Sequence, residues 1–345
     1  MKITELIGET TEYDKKLLLE EKKPLVLRGK NSSYDLQSST YKADDYAFSK
    51  LKERYKKWTG NSFVEKDLIS FGLVNEQGYL TNAGALLVDD CPIRCSRIFC
   101  TRWNGLNKSG GTVDAFDDAE YAGSIISLIE NGEAFIKRNN KMMWRKTNNS
   151  REEMPEFVER SYHEALINAL AHRDYLVNGS EVHIDIYDDR LEIYSPGGMP
   201  DGSLIQERDP LTVPSTRRNP VLADVLSRLG YMERKGSGFG KIISGYEFQV
   251  NYDNSKKPSF RSDRYQFTVV MPNLNYISIQ GDTQGTLNRQ IIALIRKNCK
   301  LSTERMAIAL GVSVSTIKRH IKTMENVNYI GRGYSGHWEI TEKDV

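Results

Sequence analysis

The sequence has few cysteines and no long apolar run, and these absences exclude several classes of protein. Its four cysteines are Cys91, Cys95, Cys100 and Cys299. The first three have no histidine nearby, so their spacing indicates neither a zinc site nor a disulfide framework. Reduced thiols are typical of the cytosol. No apolar run approaches the ~18 residues of a membrane span, and the N-terminus has no signal-peptide pattern. We therefore expect a cytoplasmic protein that does not bind membranes.

Net charge is small overall but unevenly distributed. The 345 residues carry a formal net charge of +2, with 39% hydrophobic and 27% charged residues, a composition typical of globular domains. Residues 286–345 contain ten Lys and Arg against five Asp and Glu, a net charge of +5, which leaves −3 for the rest of the chain. A basic excess confined to one segment is typical of contact with nucleic acid.

Three polar side chains recur in an otherwise apolar helical stretch. Glu164, Asn168 and His172 stand at i, i+4 and i+8 among Ala, Leu and Ile, so they share one helical face. Burial of Glu and Asn without partners is costly, which predicts that this face borders a wet cavity or a ligand. The alternative is that Glu164 and Asn168 only brace a neighbouring loop.

Two glycine clusters follow this helix. Residues 182–187 and 190–194 alternate as two strands of a hairpin and lead into Ser-Pro-Gly-Gly at residues 195–198. Residues 233–241 then form a glycine-rich turn that opens a second helix. Glycines at a helix N-terminus let backbone N–H groups approach an anion, which favours a phosphate site.

Together these features resemble a known family. Residues 151 to about 275 resemble the GHKL nucleotide-binding fold, in the branch named after the C-terminal part of RecG-like helicase-related proteins, which are ATP-binding transcriptional regulators. The resemblance rests on five stretches in combination: residues 164–175, 189–193, 195–199, 217–220 and 233–238.

The resemblance implies ATP and Mg²⁺ as cofactors and assigns roles by position. It implies that Asn168 coordinates Mg²⁺ and that Glu164 activates the attacking water. Ser195 stands where catalytic members have an Asp that accepts the adenine amine, and a hydroxyl is a weaker anchor than a carboxylate. We therefore expect nucleotide binding and leave open a weak Mg-dependent ATPase activity. The residues implied to hold adenine and phosphates are Gly197, Gly198, Gly236, Ser237 and Gly238.

Four further residues complete the predicted nucleotide site or its surroundings. The run His172-Arg173-Asp174 also occurs in kinase catalytic loops, but the other kinase motifs are absent. We predict that His172 and Arg173 line the pocket. Arg217 and Arg218 end a candidate lid, residues 201–219, that could bring a cation to a phosphate. A solvated basic loop is the alternative.

The C-terminal residues have the pattern of a winged helix-turn-helix. A helical stretch from Leu287 precedes a short helix capped by Ser302 or Thr303, a turn at Gly311 and a second helix that opens at Ser313. Residues 326–338 then read as two short strands of a wing. We expect DNA binding, with a protein-contact module as the alternative. The predicted DNA contacts are Ser315, Thr316, Lys318, Arg319, Lys322 and, in the wing, Arg332.

The first 150 residues carry no evident chemistry. Residues 1–40 resemble the opening of a Schlafen-type AlbA domain whose bulk is missing, so we expect a truncated remnant. Residues 41–150 form a mixed α/β connecting region with one helix from Tyr46 through Trp58 and a second long helix from Asp117 to Arg138. This region is expected to pack onto the next domain, extend its sheet or build a homo-oligomer contact. Residues 276–285 are the expected flexible linker.

The sequence thus predicts an α+β protein with a GHKL-type α/β sandwich at residues 151–275 and a winged helix-turn-helix at residues 286–345. Three functional hypotheses follow. The first is a DNA-binding transcriptional regulator whose nucleotide modulates DNA binding. The second is an active Mg-dependent ATPase. The third is a degenerate GHKL scaffold that acts as a plain DNA- or protein-binding module.

Overall fold

The computed structural model describes residues 33–108, 113–148, 150–233, 236–276, 283–310, 312–324, 327–331 and 336–341. The chain divides into two compact units, Met1–Tyr276 and Ile277–Val345. Most of the expected AlbA-like remnant, residues 1–32, lies outside the described residues, as does the greater part of the expected linker. Within the described residues, no helix is both long and apolar enough to cross a membrane.

The first unit contains both strands and helices. Short 3-10 turns occur at Ala43–Asp45, Ile205–Glu207 and Asn254–Lys256. The elements in chain order are β1 (Ser38–Lys42), α1 (Ser49–Thr59), α2 (Glu65–Ser70), β2 (Tyr79–Thr81), α3 (Asn82–Leu87), β3 (Arg97–Trp103), β4 (Ala115–Ala122), α4 (Ile125–Asn139), β5 (Met142–Lys146), β6 (Arg151–Pro155), α5 (Glu159–Ala171), β7 (Val182–Ile186), β8 (Arg190–Pro196), α6 (Pro220–Arg228), α7 (Gly238–Glu247), β9 (Ser259–Ser262) and β10 (Gln266–Pro272).

A six-stranded mixed sheet organises this unit. The strand order is β4-β3-β7-β8-β10-β9, and only the β3–β7 pair is parallel. The hairpin predicted from the alternating residues is confirmed, because β7 and β8 pair antiparallel through Ile184 and Ile193. Strands β3 and β4 come from the connecting region, so this region extends the sheet, one of the three roles left open by the sequence. The expected α+β class is confirmed.

Helices pack against this sheet to form the core. Helix α4 contacts β3, β4 and β7, while α5 contacts β8 and β10 and packs beside α4 and α7. Leu166 and Leu170 on the apolar side of α5 are at most 1% exposed. The Ser161 hydroxyl of α5 donates to the carbonyl oxygen of Ile242 in α7 at 2.9 Å. The two helices that carry the polar stripe and the second glycine turn are therefore held together.

The predicted helix from Asp117 to Arg138 is wrong in its first part. Residues 115–122 form strand β4, and α4 begins only at Ile125. Gly123 has a φ of 136°, a left-handed conformation that stops the strand, and Ser124 caps the helix by accepting from the Ser127 N–H. Only the residues after the Ser124 cap have the apolar spacing of a helix. The helix expected through Trp58 is confirmed by α1.

Residues 33–42 pack into the first unit. The carboxylate of Asp35, which is 0% exposed, accepts from the backbone N–H of Leu222 at the start of α6. The backbone oxygen of Asp35 accepts from Ala83, and β1 pairs with β2. The boundary expected at residue 40 therefore falls inside β1.

The second unit is a small helical domain with a two-stranded wing. Its core contains Leu287, Ile291, Met306 and Ile317, all at most 6% exposed. The predicted helix-turn-helix and wing are confirmed, since β11 and β12 pair antiparallel. The elements are α8 (Thr283–Lys297), α9 (Thr303–Leu310), α10 (Val314–Thr323), β11 (Val327–Ile330) and β12 (His337–Ile340).

Candidate functional site

A deep cleft lies between α5, the start of α7 and the sheet. The space between its walls amounts to about 1010 Å³, counting the part open to solvent. Nine of the predicted site residues line it, although they come from three separated parts of the chain. These residues are Glu164, Asn168, His172, Ser195, Gly197, Gly198, Gly236, Ser237 and Gly238.

One end of the cleft contains a charged cluster. Asn168 Nδ2 donates to Glu164 Oε1 at 3.3 Å, and Lys241 Nζ lies 3.6 Å from Glu164 Oε2 and 3.0 Å from Glu233 Oε1. Glu164 is only 8% exposed. Lys241 therefore stabilises the buried carboxylate and places a cation beside it.

Gly238 packs directly onto this cluster. A Cβ at Gly238 would lie 2.9 Å from Glu164 Oε1 and 3.0 Å from Asn168 Nδ2, closer than real Cβ contacts normally come. The N-terminus of α7, which no side chain of the described residues caps, thus lies against the polar stripe of α5. Backbone N–H groups and a lysine at one end of a cleft can bind an anion such as a phosphate.

The turn after β8 requires its glycines. Gly197 has a φ of 96°, and a Cβ there would lie 2.6 Å from the Asp174 Cβ. A Cβ at Gly198 would lie 2.0 Å from the backbone oxygen of Asp263. Any side chain at these positions would displace the turn, which forms one wall of the cleft.

Ser195 and His172 form an uncharged part of the cleft. The Ser195 hydroxyl donates to the Ala169 carbonyl oxygen at 2.7 Å. Burial, helped by the nearby Arg218 and Arg217, lowers the pKa of His172 to about 4, so its ring is neutral at pH 7. Its Nδ1 is buried and has no hydrogen-bond partner among the described residues.

The three predicted arginines do not line the cleft. Arg173 is 1% exposed and donates to the backbone oxygens of Asp174, Val177 and Ser180. It therefore holds the loop after α5.

Arg218 forms hydrogen bonds with three separate segments of the chain. It donates to the His172 backbone oxygen at 3.1 Å, to Asp174 Oδ2 at 3.0 Å and to the Gly198 backbone oxygen at 2.6 Å. Arg217 lies close enough to influence the pKa of His172 and forms no ion pair within the described residues.

The expected lid is anchored at both ends. Gln206 exchanges two hydrogen bonds of 2.9 Å with the backbone of Ser262 in β9. Asn219, 1% exposed, donates to the Ala171 and Arg173 carbonyl oxygens. Between these anchors, residues 209–216 are largely exposed, and residues 213–216 line the cleft. This shorter segment is the part of the lid that faces the cleft.

Sequence reasoning missed Lys241, Glu233 and the cleft residues of the lid. Lys241 stands one turn into α7, and its partner Glu164 is 77 positions earlier, so no local pattern identifies the pair. The position of Lys241 within the first turn of a glycine-opened helix was the available signal.

No cluster of three or more His, Cys, Asp or Glu residues suited to a metal occurs in the described part of the chain. A cation in the cleft would instead have the Asn168 amide oxygen and the Glu164 carboxylate as candidate ligands. Oxygen ligands of this kind suit Mg²⁺, which usually binds few protein groups and completes its shell with phosphates and water.

The second helix of the helix-turn-helix exposes the predicted polar residues. Ser313 caps α10 by accepting from the Thr316 N–H at 3.1 Å, and Ile317 is buried on the inner face. Arg332 of the wing lies outside the described residues. The exposed residues on the opposite face are Ser315, Lys318, Arg319 and Lys322, while Thr316 is half-buried.

Two segments of the chain match known families. Residues 179–271 match the family described as "Putative ATP-dependent DNA helicase recG C-terminal". Residues 286–330 match the family described as winged helix-turn-helix DNA-binding. The first match includes both glycine turns of the cleft but begins after α5, so Glu164 and Asn168 lie outside it.

A crystal structure described as the DIP2311 protein from Corynebacterium diphtheriae has a similar fold. Its TM-score is 0.56 at 17% identity, and the match covers 90% of this chain and 65% of that chain. This chain thus spans less than two thirds of the length of that protein, and the similarity concerns the fold alone. No curated protein matches the sequence. The chain therefore contains one segment similar to the RecG C-terminal, ATPase-like family and, after it, one segment similar to winged helix-turn-helix DNA-binding domains.

Proposed function

We propose that this protein is a DNA-binding transcriptional regulator that binds ATP with Mg²⁺ in the cleft and changes its affinity for DNA when it does so. The observation that carries the nucleotide part is the contact between Gly238 and the Glu164–Asn168 pair. It brings a glycine-opened helix N-terminus, an acidic group and an amide able to ligate a metal to one end of the cleft. The family match over residues 179–271 supports the same assignment.

The phosphates are assigned to the charged end of the cleft. The N–H groups at the start of α7 can donate to phosphate oxygens, and Lys241 adds a positive charge within the same turn. Asn168 would hold Mg²⁺ through its amide oxygen. When bound, Mg²⁺ supplies charge neutralisation for the phosphates.

A weak ATPase activity is the second candidate, and Glu164 favours it. The carboxylate is held in place by Asn168 Nδ2 and Lys241 Nζ, so it can accept a proton from a water beside the terminal phosphate. Lys241 also pairs with Glu233, and a bound phosphate would compete for this lysine.

Coupling to DNA requires the nucleotide to favour one arrangement of the protein over another. Residues 209–216 are the proposed moving part, because their neighbours on both sides are anchored by Gln206 and Asn219. The Ser215 Cβ lies 3.4 Å from the position that a Gly236 Cβ would take, so the lid lies beside the glycine-rich turn that precedes α7. A nucleotide that orders this turn would also order the lid.

DNA binding is assigned to α10 in the second unit. Lys318, Arg319 and Lys322 are exposed on one face and can contact phosphates, while Ser315 and Thr316 near the helix start are placed for base edges. The basic excess of residues 286–345 agrees with this assignment. The homo-oligomer expected from the sequence stays a prediction.

Titration calorimetry with a non-hydrolysable ATP analogue and Mg²⁺ tests the nucleotide part. We expect micromolar binding that Asn168→Ala weakens at least about tenfold, because the variant removes the metal ligand. Asn61→Ala, an exposed asparagine far along the sequence from the cleft residues, is the matched control and should bind as the wild type does. No heat in either protein would leave the third hypothesis, a degenerate scaffold with the winged helix as its functional part.

A further inference from the structure

The cleft has two chemically different ends. At one end lie the charged groups Glu164, Lys241 and Glu233. The other end, which we call the inner wall, consists of His172, Ile193, Ser195, Phe267 and Val269. Within the sheet, Ser195 pairs with Phe267 and Ile193 with Val269, so these four residues form a continuous floor.

The inner wall carries no charge. Among the described lining residues the only carboxylates are Glu164 and Glu233, and both belong to the Lys241 cluster at the other end. The His172 ring is neutral at pH 7, and its Nδ1 is buried with no hydrogen-bond partner in the part of the chain that the structure describes. Hydrogen bonds from this wall to a ligand are therefore bonds between neutral groups.

The Ser195 hydroxyl can serve two kinds of ligand group. Ser195 is 5% exposed and donates its hydrogen to the Ala169 carbonyl oxygen, which leaves the hydroxyl oxygen as an acceptor. An amino group can donate to this oxygen without disturbing the bond to Ala169. A carbonyl group can instead accept the hydroxyl hydrogen after rotation about the Cβ–Oγ bond, at the loss of the bond to Ala169.

Adenine and guanine differ at this kind of contact. Adenine presents an amino donor where guanine presents a carbonyl acceptor. A buried carboxylate would accept from the first and repel the second, whereas a hydroxyl and a neutral imidazole can pair with both. We propose that the cleft binds adenine and guanine nucleotides with similar affinity, the purine lying against the inner wall formed by Ser195 and His172. This inference rests on the proposed nucleotide binding.

Binding of the non-hydrolysable ATP and GTP analogues, each with Mg²⁺, to the full chain tests the proposal. We expect the two dissociation constants to differ by less than about tenfold, the range of one neutral hydrogen bond. Ser195→Asp should widen the preference for adenine beyond about a hundredfold by removing guanine binding. Ser215→Asp is the matched control: it places the same charge at the lid, so it should weaken both nucleotides and leave their ratio unchanged.

The outcomes separate this inference from the proposed function. If the wild type binds the ATP analogue and prefers it by a hundredfold or more, relaxed purine selectivity is refuted while nucleotide binding stands. Binding of neither analogue removes both. Because the wild-type ratio alone decides the question, a failure of Ser195→Asp to fold does not affect the test.

Discussion

The Glu164 carboxylate is buried and contacts the side chains of Asn168 and Lys241. Replacing it by Gln keeps the shape and the contact with Asn168 but removes the proton acceptor, so we expect ATP turnover to fall at least a hundredfold. The dissociation constant of the ATP analogue should change less than about threefold. Phosphate release and titration calorimetry measure the two effects. Glu233→Gln removes the other partner of Lys241 and should retain turnover, and an unchanged rate in Glu164→Gln would remove its catalytic role.

His172 gives the fold a defined pH dependence. Its pKa is about 4 in the folded chain against an ordinary value of 6.5, so the unfolded chain binds the proton first as pH falls. The stabilisation is fully present above pH 6.5 and is lost on the way down to pH 4. Between pH 7 and pH 5 the loss is about 2 kcal/mol.

Urea unfolding at pH 7 and pH 5 measures this effect. His172→Gln does not titrate and should lose about 2 kcal/mol less than the wild type over that range. The difference between the two proteins is the relevant quantity, because Glu133 raises the pKa of His163 and gives a trend of opposite sign. Equal losses would mean that His172 is protonated in the folded chain.

Individual site residues were predictable to different degrees. The polar stripe Glu164, Asn168 and His172 follows from helical periodicity alone, and the three do line one cleft. Arg173 and Arg218 could not be placed, because their partners are backbone carbonyls of loops that approach only in the folded chain. A basic residue beside a glycine motif gives no indication whether it will meet a ligand or a loop.

At the scale of elements, the junction between α5 and α7 depends on Gly238. Adding a Cβ there presses on Glu164 and Asn168, and we expect Gly238→Ala to weaken nucleotide binding about tenfold. The free energy of unfolding should stay unchanged or rise by up to ~1 kcal/mol, because alanine has a higher helix propensity than glycine. Gly240→Ala in the same helix is the control, since its Cβ would meet only Leu211 at an ordinary 3.6 Å. Calorimetry should find wild-type affinity in the control, and equal weakening in both would point to a general effect on α7.

The start of α10 depends on Ser313. Its hydroxyl accepts from the Thr316 N–H, and removing this cap by Ser313→Ala should destabilise the helix by about 0.5–2 kcal/mol. Hydrogen exchange of residues 303–324 in the full chain measures the change. Ser315→Ala removes a hydroxyl that contacts the Ser313 hydroxyl and does not cap the helix, so it should have a smaller effect. Unchanged protection in Ser313→Ala would exclude the cap.

The sequence predicted whether a segment is helix or strand better than it predicted the residue at which each element begins. The helix-turn-helix, the wing and the β7–β8 hairpin follow from local periodicity and capping residues, while β4 was mistaken for the first turns of α4. The strand reads Ala-Phe-Asp-Asp-Ala-Glu-Tyr-Ala and alternates in exposure, but three of its residues are alanines, which favour a helix. Gly123 and Ser124 were the signals that separate strand from helix.

For the whole molecule, the six-stranded sheet could not be derived from the sequence. Strands β3 and β7 pair in parallel although about 80 residues separate them, and α4 packs against both. Such long-range pairs leave no local pattern. The sequence therefore left open whether the connecting region packs onto the next domain, extends its sheet or builds an oligomer contact, and the structure shows that it extends the sheet.

Nucleotide and DNA binding should be coupled if the two units form one regulator. Thermodynamic linkage requires that ATP and DNA change each other's affinity by the same factor, typically 5–150-fold. We expect the non-hydrolysable ATP analogue with Mg²⁺ to change DNA affinity at least about fivefold, and DNA to shift the analogue's dissociation constant equally. Fluorescence anisotropy with labelled DNA and calorimetry measure the two sides. Equal DNA affinity with and without bound nucleotide would rule out the coupling.

Two variants test separately how the cleft and helix α10 contribute to this coupling. Asn168→Ala should abolish the nucleotide effect and keep the basal DNA affinity, because it acts only in the cleft. The double substitution Lys318→Gln and Arg319→Gln should weaken DNA binding and lower the slope of log affinity against log salt by about two, one for each lost phosphate contact. It should leave the nucleotide affinity in the absence of DNA unchanged. If the salt slope stays the same, α10 does not bind the DNA backbone, and the second unit is better explained as a protein-contact module.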